Sequence, residues 1–132
     1  MQDLIGRVNV SFVIDTLEYM WKGGRCTGVT AFGANLLNLK PCIEMRNGKL
    51  EVCKKYRGNI EKVYEKYIAE RLKGKKVDPR YIFITTSNAP TPELAARLES
   101  AVRKAVPEAQ EIFFTRTGCT VTSHCGPGTM GV

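Results

Sequence analysis

The segment PCIEMRNGKLEVCK, residues 41–54, decides the fold class of this 132-residue chain. Asn47-Gly48 at its centre is the dipeptide that best accepts the two positive φ angles of a type I′ turn. We therefore predict an antiparallel hairpin with strands at residues 41–46 and 49–54. Because a hairpin this early interrupts the strict alternation of strands and helices, it disfavours a doubly wound sheet.

The hairpin is flanked by segments with strand and helix patterns. β-Branched and aromatic residues predict strands at 8–14, 80–86 and 111–115, with another beginning at 129–132. Apolar residues at helical spacing predict helices at about 16–22, 28–38, 60–72 and 92–105. This order predicts a single α/β (α+β) domain over residues 1–132, with two layers: a mixed sheet of about six strands and helices packed mainly on one face.

Several residues are predicted to cap or orient these elements. Asp15 and Glu18 form a capping-box pattern, and Thr91 precedes a proline at the first helical position. Arg71 is placed on the water-facing side of its helix. The strand at 80–86 is predicted to be buried.

The composition is that of an ordinary globular protein, with 43% hydrophobic and 25% charged residues. Apolar runs fall short of the roughly 20 residues that span a membrane, and the N-terminus lacks a signal-peptide pattern, so a cytoplasmic protein is expected. Five cysteines without a CxxC pair disfavour a disulfide framework and a zinc site. The net charge of +7 leaves a basic nucleic-acid-binding α/β domain open as an alternative function.

The segment TGCTVTSHCGPGTMGV, residues 117–132, contains the only histidine, His124, and is predicted to be a loop that leads into the strand beginning at 129. We interpret it as one wall of a ligand site. Backbone N–H groups at Gly126 and Gly128 are candidate anion donors beside the His124 side chain. A glycine-rich turn with a surface histidine explains the same residues equally well.

The turn Gly23-Gly24-Arg25 is interpreted as the facing wall of that site. The Arg25 guanidinium is a rigid fork of donors suited to carboxylate or phosphate oxygens. An exposed arginine after a helix end remains the alternative.

Catalytic and metal-binding interpretations of the terminal segment are disfavoured. Cys119 or Cys125 with His124 would form a nucleophilic dyad, but neighbouring residues in an extended segment point to opposite sides. The spacing of these three residues also differs from the usual zinc patterns. We therefore predict no catalytic residue and no metal ligand.

The predicted helix at 28–38 combines apolar side chains with small residues. Packing against a sheet explains this pattern, and so does a groove for an apolar ligand. The apolar residues concerned are Val29, Phe32, Leu36 and Leu37.

Five motifs in order resemble the C-terminal domain of the DegV family, the bacterial fatty-acid-binding proteins that act as acyl-carrying subunits of fatty acid kinase. They are LEYMWKGGR at 17–25, LLNLKP at 36–41, NGK at 47–49, RG at 57–58 and HCGPG at 124–128. The resemblance runs from about residue 8 to the end of the sequence. It implies a DegV-like fold and a non-catalytic, lipid-binding protein.

The resemblance also implies roles for particular residues. Arg25 and His124 match family residues near the fatty acid carboxylate. Phe32, Leu36 and Leu37 match the wall along the acyl chain, and Gly126 and Gly128 match the loop beside it. No cofactor is implied beyond a bound long-chain fatty acid.

The partners implied by the resemblance are a fatty acid, a separate fatty acid kinase catalytic subunit and an N-terminal DegV domain. The N-terminal domain, whose serine and threonine hydroxyls hold the carboxylate in relatives, is absent from this sequence. We therefore expect a fragment that binds lipid weakly or not at all when alone. Its inter-domain face is expected to be apolar and to favour homodimer formation. No nucleic acid is expected as a partner.

Overall fold

A six-stranded mixed sheet forms the centre of the protein in the computed structural model, which describes residues 9–24 and 39–132. Four helices accompany the six strands within these ranges. The elements in chain order are β1 (Ser11–Val13), α1 (Glu18–Lys22), β2 (Leu39–Arg46), β3 (Lys49–Arg57), α2 (Ile60–Leu72), β4 (Tyr81–Thr86), α3 (Pro92–Ala105), β5 (Glu111–Arg116), α4 (Cys119–Cys125) and β6 (Met130–Gly131).

The strands lie in the order β3-β2-β1-β6-β4-β5. Neighbouring strands are antiparallel, except that β4 and β5 run parallel and are connected through α3. The predicted fold class, a mixed sheet of about six strands with helices mainly on one face, is confirmed. The helix predicted at 28–38 lies outside the described residues.

The predicted hairpin is present as β2 and β3. Asn47 and Gly48 have φ angles of 49° and 76°, as a type I′ turn requires. Both strands extend beyond the predicted limits, and β3 continues to Arg57 because Tyr56 is buried against the core. The register shifts between Cys42 and Ile43, which marks a β-bulge.

The larger hydrophobic core lies between one face of the sheet and helices α2 and α3. The predicted apolar stripes of both helices supply it, which confirms their orientation. Its most deeply buried members are Val13, Cys42, Ile84 and Met130 from the sheet, Tyr67 and Ile68 from α2, and Leu98 and Val102 from α3.

A smaller core lies on the opposite face of the sheet, which we call the second face. Side chains alternate along a strand, so Ile43, next to Cys42 in β2, points to this second face. Ile43 packs there with Leu17 and Met20 of the α1 region and with Cys125 of α4. Helices α1 and α4 therefore cover part of the second face.

Three sequence predictions are wrong in detail. Asp15 does not cap α1, because the N-cap residue is Leu17 and the Asp15 carboxylate binds Lys40 at 2.6 Å. Arg71 does not face water: its side chain is 15% exposed and contacts Glu44 at 3.0 Å. Strand β4 alternates between buried and exposed residues, since helices cover only one of its faces.

The predicted cap at Thr91 is confirmed, because its hydroxyl accepts a hydrogen bond from the N–H of Leu94 at 3.2 Å. The described helices are short or amphipathic. None of them, within residues 9–24 and 39–132, is long and apolar enough to cross a lipid bilayer.

Replacing Tyr67 tests the attachment of α2 to the sheet. The buried Tyr67 hydroxyl lies 2.8 Å from both the Ser11 hydroxyl and the Ser11 carbonyl. Tyr67→Phe removes these hydrogen bonds and leaves buried Ser11 groups without a partner, so we expect unfolding free energy to fall by about 1–3 kcal/mol in urea titrations. The matched control is Tyr81→Phe at an exposed position, with an expected change below about 0.5 kcal/mol. Equal effects of the two changes would contradict this role for Tyr67.

Candidate functional site

The terminal segment at 117–132 forms helix α4, a tight loop and strand β6. The strand predicted to begin at 129–132 is present, but the prediction of a loop before it is wrong, because that part contains a helix. Helix α4 begins after Gly118 and ends at Cys125, before Gly126, whose φ angle is +82°. The Thr122 N–H donates to the Gly118 carbonyl at 3.0 Å, and the hydroxyls of Thr117 and Thr122 are 2.7 Å apart. Threonine and serine have weak helix propensity, which explains why the sequence pattern favoured a loop.

This segment lies at the end of the sheet that is formed by the carboxyl ends of the parallel strands β4 and β5. We call this end of the sheet the edge. Helix α4 follows β5 directly, and β6 returns between β1 and β4. Ligands of open α/β sheets bind outside the carboxyl ends of such strands. The edge is therefore the candidate functional site.

His124, in the last turn of α4, lies beside the end of α1. A Cβ atom at Gly23 would be 3.0 Å from the His124 Nδ1 atom, so the glycine allows a closer approach of the ring than a residue with a side chain would. The structure thus brings His124 next to the Gly23-Gly24 turn, as the two-wall hypothesis places them. Arg25, the remaining residue of the turn, lies outside the described residues.

The two loop glycines are needed for close packing. Gly126 is covered by the Tyr19 ring, which an added Cβ atom would overlap, and a Cβ atom added to Gly128 would lie only 2.7 Å from the Asp15 Cβ atom. Both glycines have positive φ angles. Their N–H groups are already used: Gly126 donates to the Thr122 carbonyl at 2.8 Å and Gly128 to Asn88 Oδ1 at 3.1 Å. Neither N–H group is free to bind an anion in this conformation.

Two polar residues that the sequence pattern did not indicate hold the loop. The Ser87 hydroxyl accepts a hydrogen bond from the Thr129 N–H at 3.0 Å, and Asn88 binds Gly128. The Thr129 hydroxyl in turn donates to the carbonyls of Cys125 and Gly126. The signal in the sequence was the polar pair Ser87-Asn88 directly after a strand, a position at the same sheet edge.

An ion pair lies at the edge beside β1 and β2. Lys40 Nζ lies 2.6 Å from the Asp15 carboxylate and 3.2 Å from the Asp15 carbonyl.

The Tyr64 hydroxyl lies near Gly128. Burial, and to a lesser extent the negative charge of Asp15, raises the pKa of Tyr64 to about 12. The phenol is therefore neutral at physiological pH.

The thiols of α4 have different surroundings. Cys125 is buried in the smaller core, and burial raises the pKa of its thiol, which disfavours the reactive thiolate. Cys119 is exposed at the start of the helix. No group of three or more histidine, cysteine or carboxylate side chains positioned to hold a metal ion occurs among the residues that the structure describes.

Exposed aromatic side chains form a patch on the second face, which we call the aromatic patch: Tyr81, Phe83 and Phe113. Their exposed fractions are 55%, 52% and 38%. The rings of Phe83 and Phe113 stack with centroids 5.3 Å apart. Ile82 and Ile84 point to the larger core, so the intervening Phe83 points to the face on which α1 and α4 lie. The sequence pattern, interpreted as a buried strand, missed this surface.

Apolar side chains are also exposed on the two helices at the candidate site. Trp21 and Tyr19 of α1 are 58% and 39% exposed, and Val121 of α4 is 46% exposed. The predicted acyl wall, Phe32, Leu36 and Leu37, lies outside the described residues.

Comparison with known proteins identifies relatives over the whole length of the chain. The model of the DegV family, described as an uncharacterised protein family, matches residues 1–132. A fatty acid-binding protein from Thermotoga maritima is 32% identical over 123 residues, covering 91% of this chain and 41% of the relative.

Solved structures show the same architecture. A fatty acid-binding DegV family protein from Streptococcus agalactiae superposes with a TM-score of 0.78 at 27% identity, covering 98% of this chain and 44% of that one. A DegV family protein from Thermus thermophilus, solved in a study of fatty acid binding, gives a TM-score of 0.69 at 30% identity, with 95% and 44% covered. The chain thus spans less than half the length of these relatives.

Adding a methyl group at Gly126 tests the packing of α1 on α4. Because Gly126 combines a positive φ angle with contact to the Tyr19 ring, Gly126→Ala is expected to lower the free energy of unfolding by about 1–3 kcal/mol or more. The matched control is Gly118→Ala, since Gly118 has an ordinary φ of −70° and no neighbour within 4 Å of a new Cβ atom. Its expected change is within about 0.5 kcal/mol. If thermal unfolding shows the same loss of stability for both variants, or a larger loss for Gly118→Ala, the close contact between Gly126 and the Tyr19 ring is contradicted.

Proposed function

Because the chain belongs to the DegV family, we propose that it binds a long-chain fatty acid and helps to present the carboxylate to a separate fatty acid kinase subunit. The observation that carries this proposal is the match to fatty acid-binding relatives of 27–32% identity over nearly the whole chain. The protein itself is proposed to be non-catalytic. Its chemistry is that of binding and orientation.

The carboxylate end of the ligand is assigned to the edge beside His124. An imidazole N–H donates to a carboxylate oxygen. The Gly23-Gly24 turn leads directly to Arg25, whose guanidinium is proposed as the second donor. The half-buried position of His124, next to this turn, supports the assignment.

The acyl chain is assigned to apolar surface near that edge. Phe32, Leu36 and Leu37 remain the proposed wall. The aromatic patch, on the same face as α1 and α4, is a second apolar surface available for contact. Each methylene removed from water contributes about 0.8 kcal/mol, so apolar area determines this part of the affinity.

Further partners follow from the length of the relatives, of which this chain covers 41–44%. We propose that the remaining donors to the carboxylate come from an N-terminal DegV domain. The aromatic patch is the proposed contact surface for that domain. When that domain is not bound, the same patch is expected to favour a homodimer.

Ligand binding is tested by native mass spectrometry after incubation with oleate. The chain is measured alone and mixed with the N-terminal half of the Thermotoga maritima relative. We expect a fatty acid adduct in the mixture and little or none with the chain alone. If the two chains form a complex that carries no fatty acid, the proposal is contradicted.

The carboxylate donors are tested in the same mixture. His124→Ala and Arg25→Ala each remove a charge-assisted hydrogen bond, so we expect oleate affinity and acyl transfer to fall roughly 10- to 100-fold. The control is Ser123→Ala, which changes the exposed neighbour of His124 on α4 and is expected to have no effect. Unchanged transfer in the first two variants would leave His124 and Arg25 without a ligand role.

Nucleic-acid binding is the alternative motivated by the net charge of +7. Several basic side chains are already paired with acids: Lys54 with Glu70, and Arg97 with both Glu61 and Glu65. Salt separates the two functions, because nucleic-acid affinity falls steeply with salt and acyl burial does not. We expect no binding of a labelled oligonucleotide at about 150 mM salt in a polarisation assay. Tight binding that collapses at higher salt would favour the alternative.

A further inference from the structure

The bulge in the β2–β3 hairpin places two cysteines side by side. Cys42 pairs with Lys54, and Ile43 pairs with Val52, so Cys53 is the extra residue of β3. In a regular strand, Cys53 and Lys54 would point to opposite faces. Here Cys53 packs against the larger core and Lys54 reaches Glu70 of α2, so both point toward α2. Cys42 points to the same side, which brings the two thiols together.

A single guanidinium contacts both sulfur atoms. The Arg71 Nη2 atom lies 3.6 Å from Cys42 Sγ and 3.5 Å from Cys53 Sγ. Arg71 is held in place from the other side, because its Nη1 atom lies 3.0 Å from Glu44 Oε1. A guanidinium has donors only, so both sulfur atoms serve as acceptors.

The two sulfur atoms of this pair lie close together, because both are within 3.6 Å of the same Arg71 Nη2 atom. Cys53 Sγ also lies 3.4 Å from the Cys42 carbonyl oxygen, so its side chain already points toward the facing residue. A disulfide would therefore join two side chains that already point to the same side of the hairpin.

The two thiols differ in access to solvent. Cys53 is partly exposed, whereas Cys42 is 1% exposed. A small pocket of about 210 Å³, bordered by both cysteines and Arg71, opens above them. The pocket is large enough to admit hydrogen peroxide, which would meet the partly exposed Cys53 before the buried Cys42. Burial raises the pKa of Cys42 to about 12, so this residue is a protonated thiol at physiological pH.

We propose that Cys42 and Cys53 form a peroxide-oxidisable thiol pair that converts to a disulfide between β2 and β3. The Cys53 thiolate attacks one oxygen of hydrogen peroxide, the O–O bond breaks, and a sulfenic acid forms with release of water after proton uptake. The Cys42 sulfur then attacks Cys53 sulfur, displaces the hydroxyl group, and its thiol proton leaves in a second water. Two thiols are oxidised and one peroxide is reduced to two waters.

Other cysteines are poorly placed to compete within the described part of the chain. Cys125 is buried in the smaller core on the second face, and Cys119 is exposed at the start of α4, away from the hairpin. Neither borders the pocket above Arg71. The disulfide should therefore join Cys42 to Cys53 specifically, and it should add a covalent link to a hairpin that the core already holds.

Mass spectrometry of the full chain tests the proposal. After treatment with a few equivalents of hydrogen peroxide, we expect the mass to fall by the two hydrogens of a disulfide, and digestion under non-reducing conditions should yield the peptides containing Cys42 and Cys53 joined. A reducing agent should restore the original mass. The oxidised protein should melt roughly 5 °C or more above the reduced protein, because the link restricts the unfolded chain.

Matched variants assign the bond. Cys119→Ser removes an exposed thiol outside the pair and should leave the loss of two hydrogens intact. Cys53→Ser should abolish it, and the mass spectrum of the wild-type protein stands as evidence even if that variant folds poorly. The proposal is overturned if Cys53 accumulates as sulfinic acid without a link, if it pairs with another cysteine, or if it stays reduced while Cys119 oxidises.

Discussion

Hydrogen bonds between the buried Tyr67 hydroxyl and Ser11 join helix α2 to strand β1, and the apolar face of α2 packs around them in the larger core. Residues three and four positions away from Tyr67 lie on the same side of the helix. Tyr64 consequently reaches Gly128 at the candidate site, and Arg71 reaches the thiols of the hairpin. One anchored helix therefore sets the position of two chemically distinct regions.

The parts of the fold that the sequence predicts are those determined by neighbouring residues. Asn47-Gly48 needs only its own φ angles to form a turn, and Thr91-Pro92 needs only the next turn of helix to form a cap. The apolar stripe of α2 likewise requires nothing but a surface to cover. These local requirements made the hairpin, the cap and the amphipathic helices predictable.

The features that were missed depend on what lies opposite each residue. Arg71 has a charge that favours water, but Glu44 and the two thiols provide partners across the interface. Strand β4 has the apolar composition of a fully buried strand, yet helices cover only one of its faces. In the candidate site, composition indicated His124 and the close-packed glycines. It did not indicate α4, which is stabilised by tertiary contacts of Tyr19 and Cys125, or that Asn88 occupies the Gly128 N–H.

Strand β6 consists of two residues, Met130 and Gly131, yet it lies between β1 and β4 in the middle of the sheet. The β3-β2-β1 half and the β4-β5 half each pair strands that are closer in sequence, and β6 is the only strand in the described chain that joins them. Its pairing with β1 closes a loop of more than a hundred residues, which makes it the most entropically costly contact of the sheet. During synthesis on the ribosome, the sheet cannot become continuous until Met130 and Gly131 have emerged. Contacts between residues so far apart in sequence raise the contact order, which slows folding.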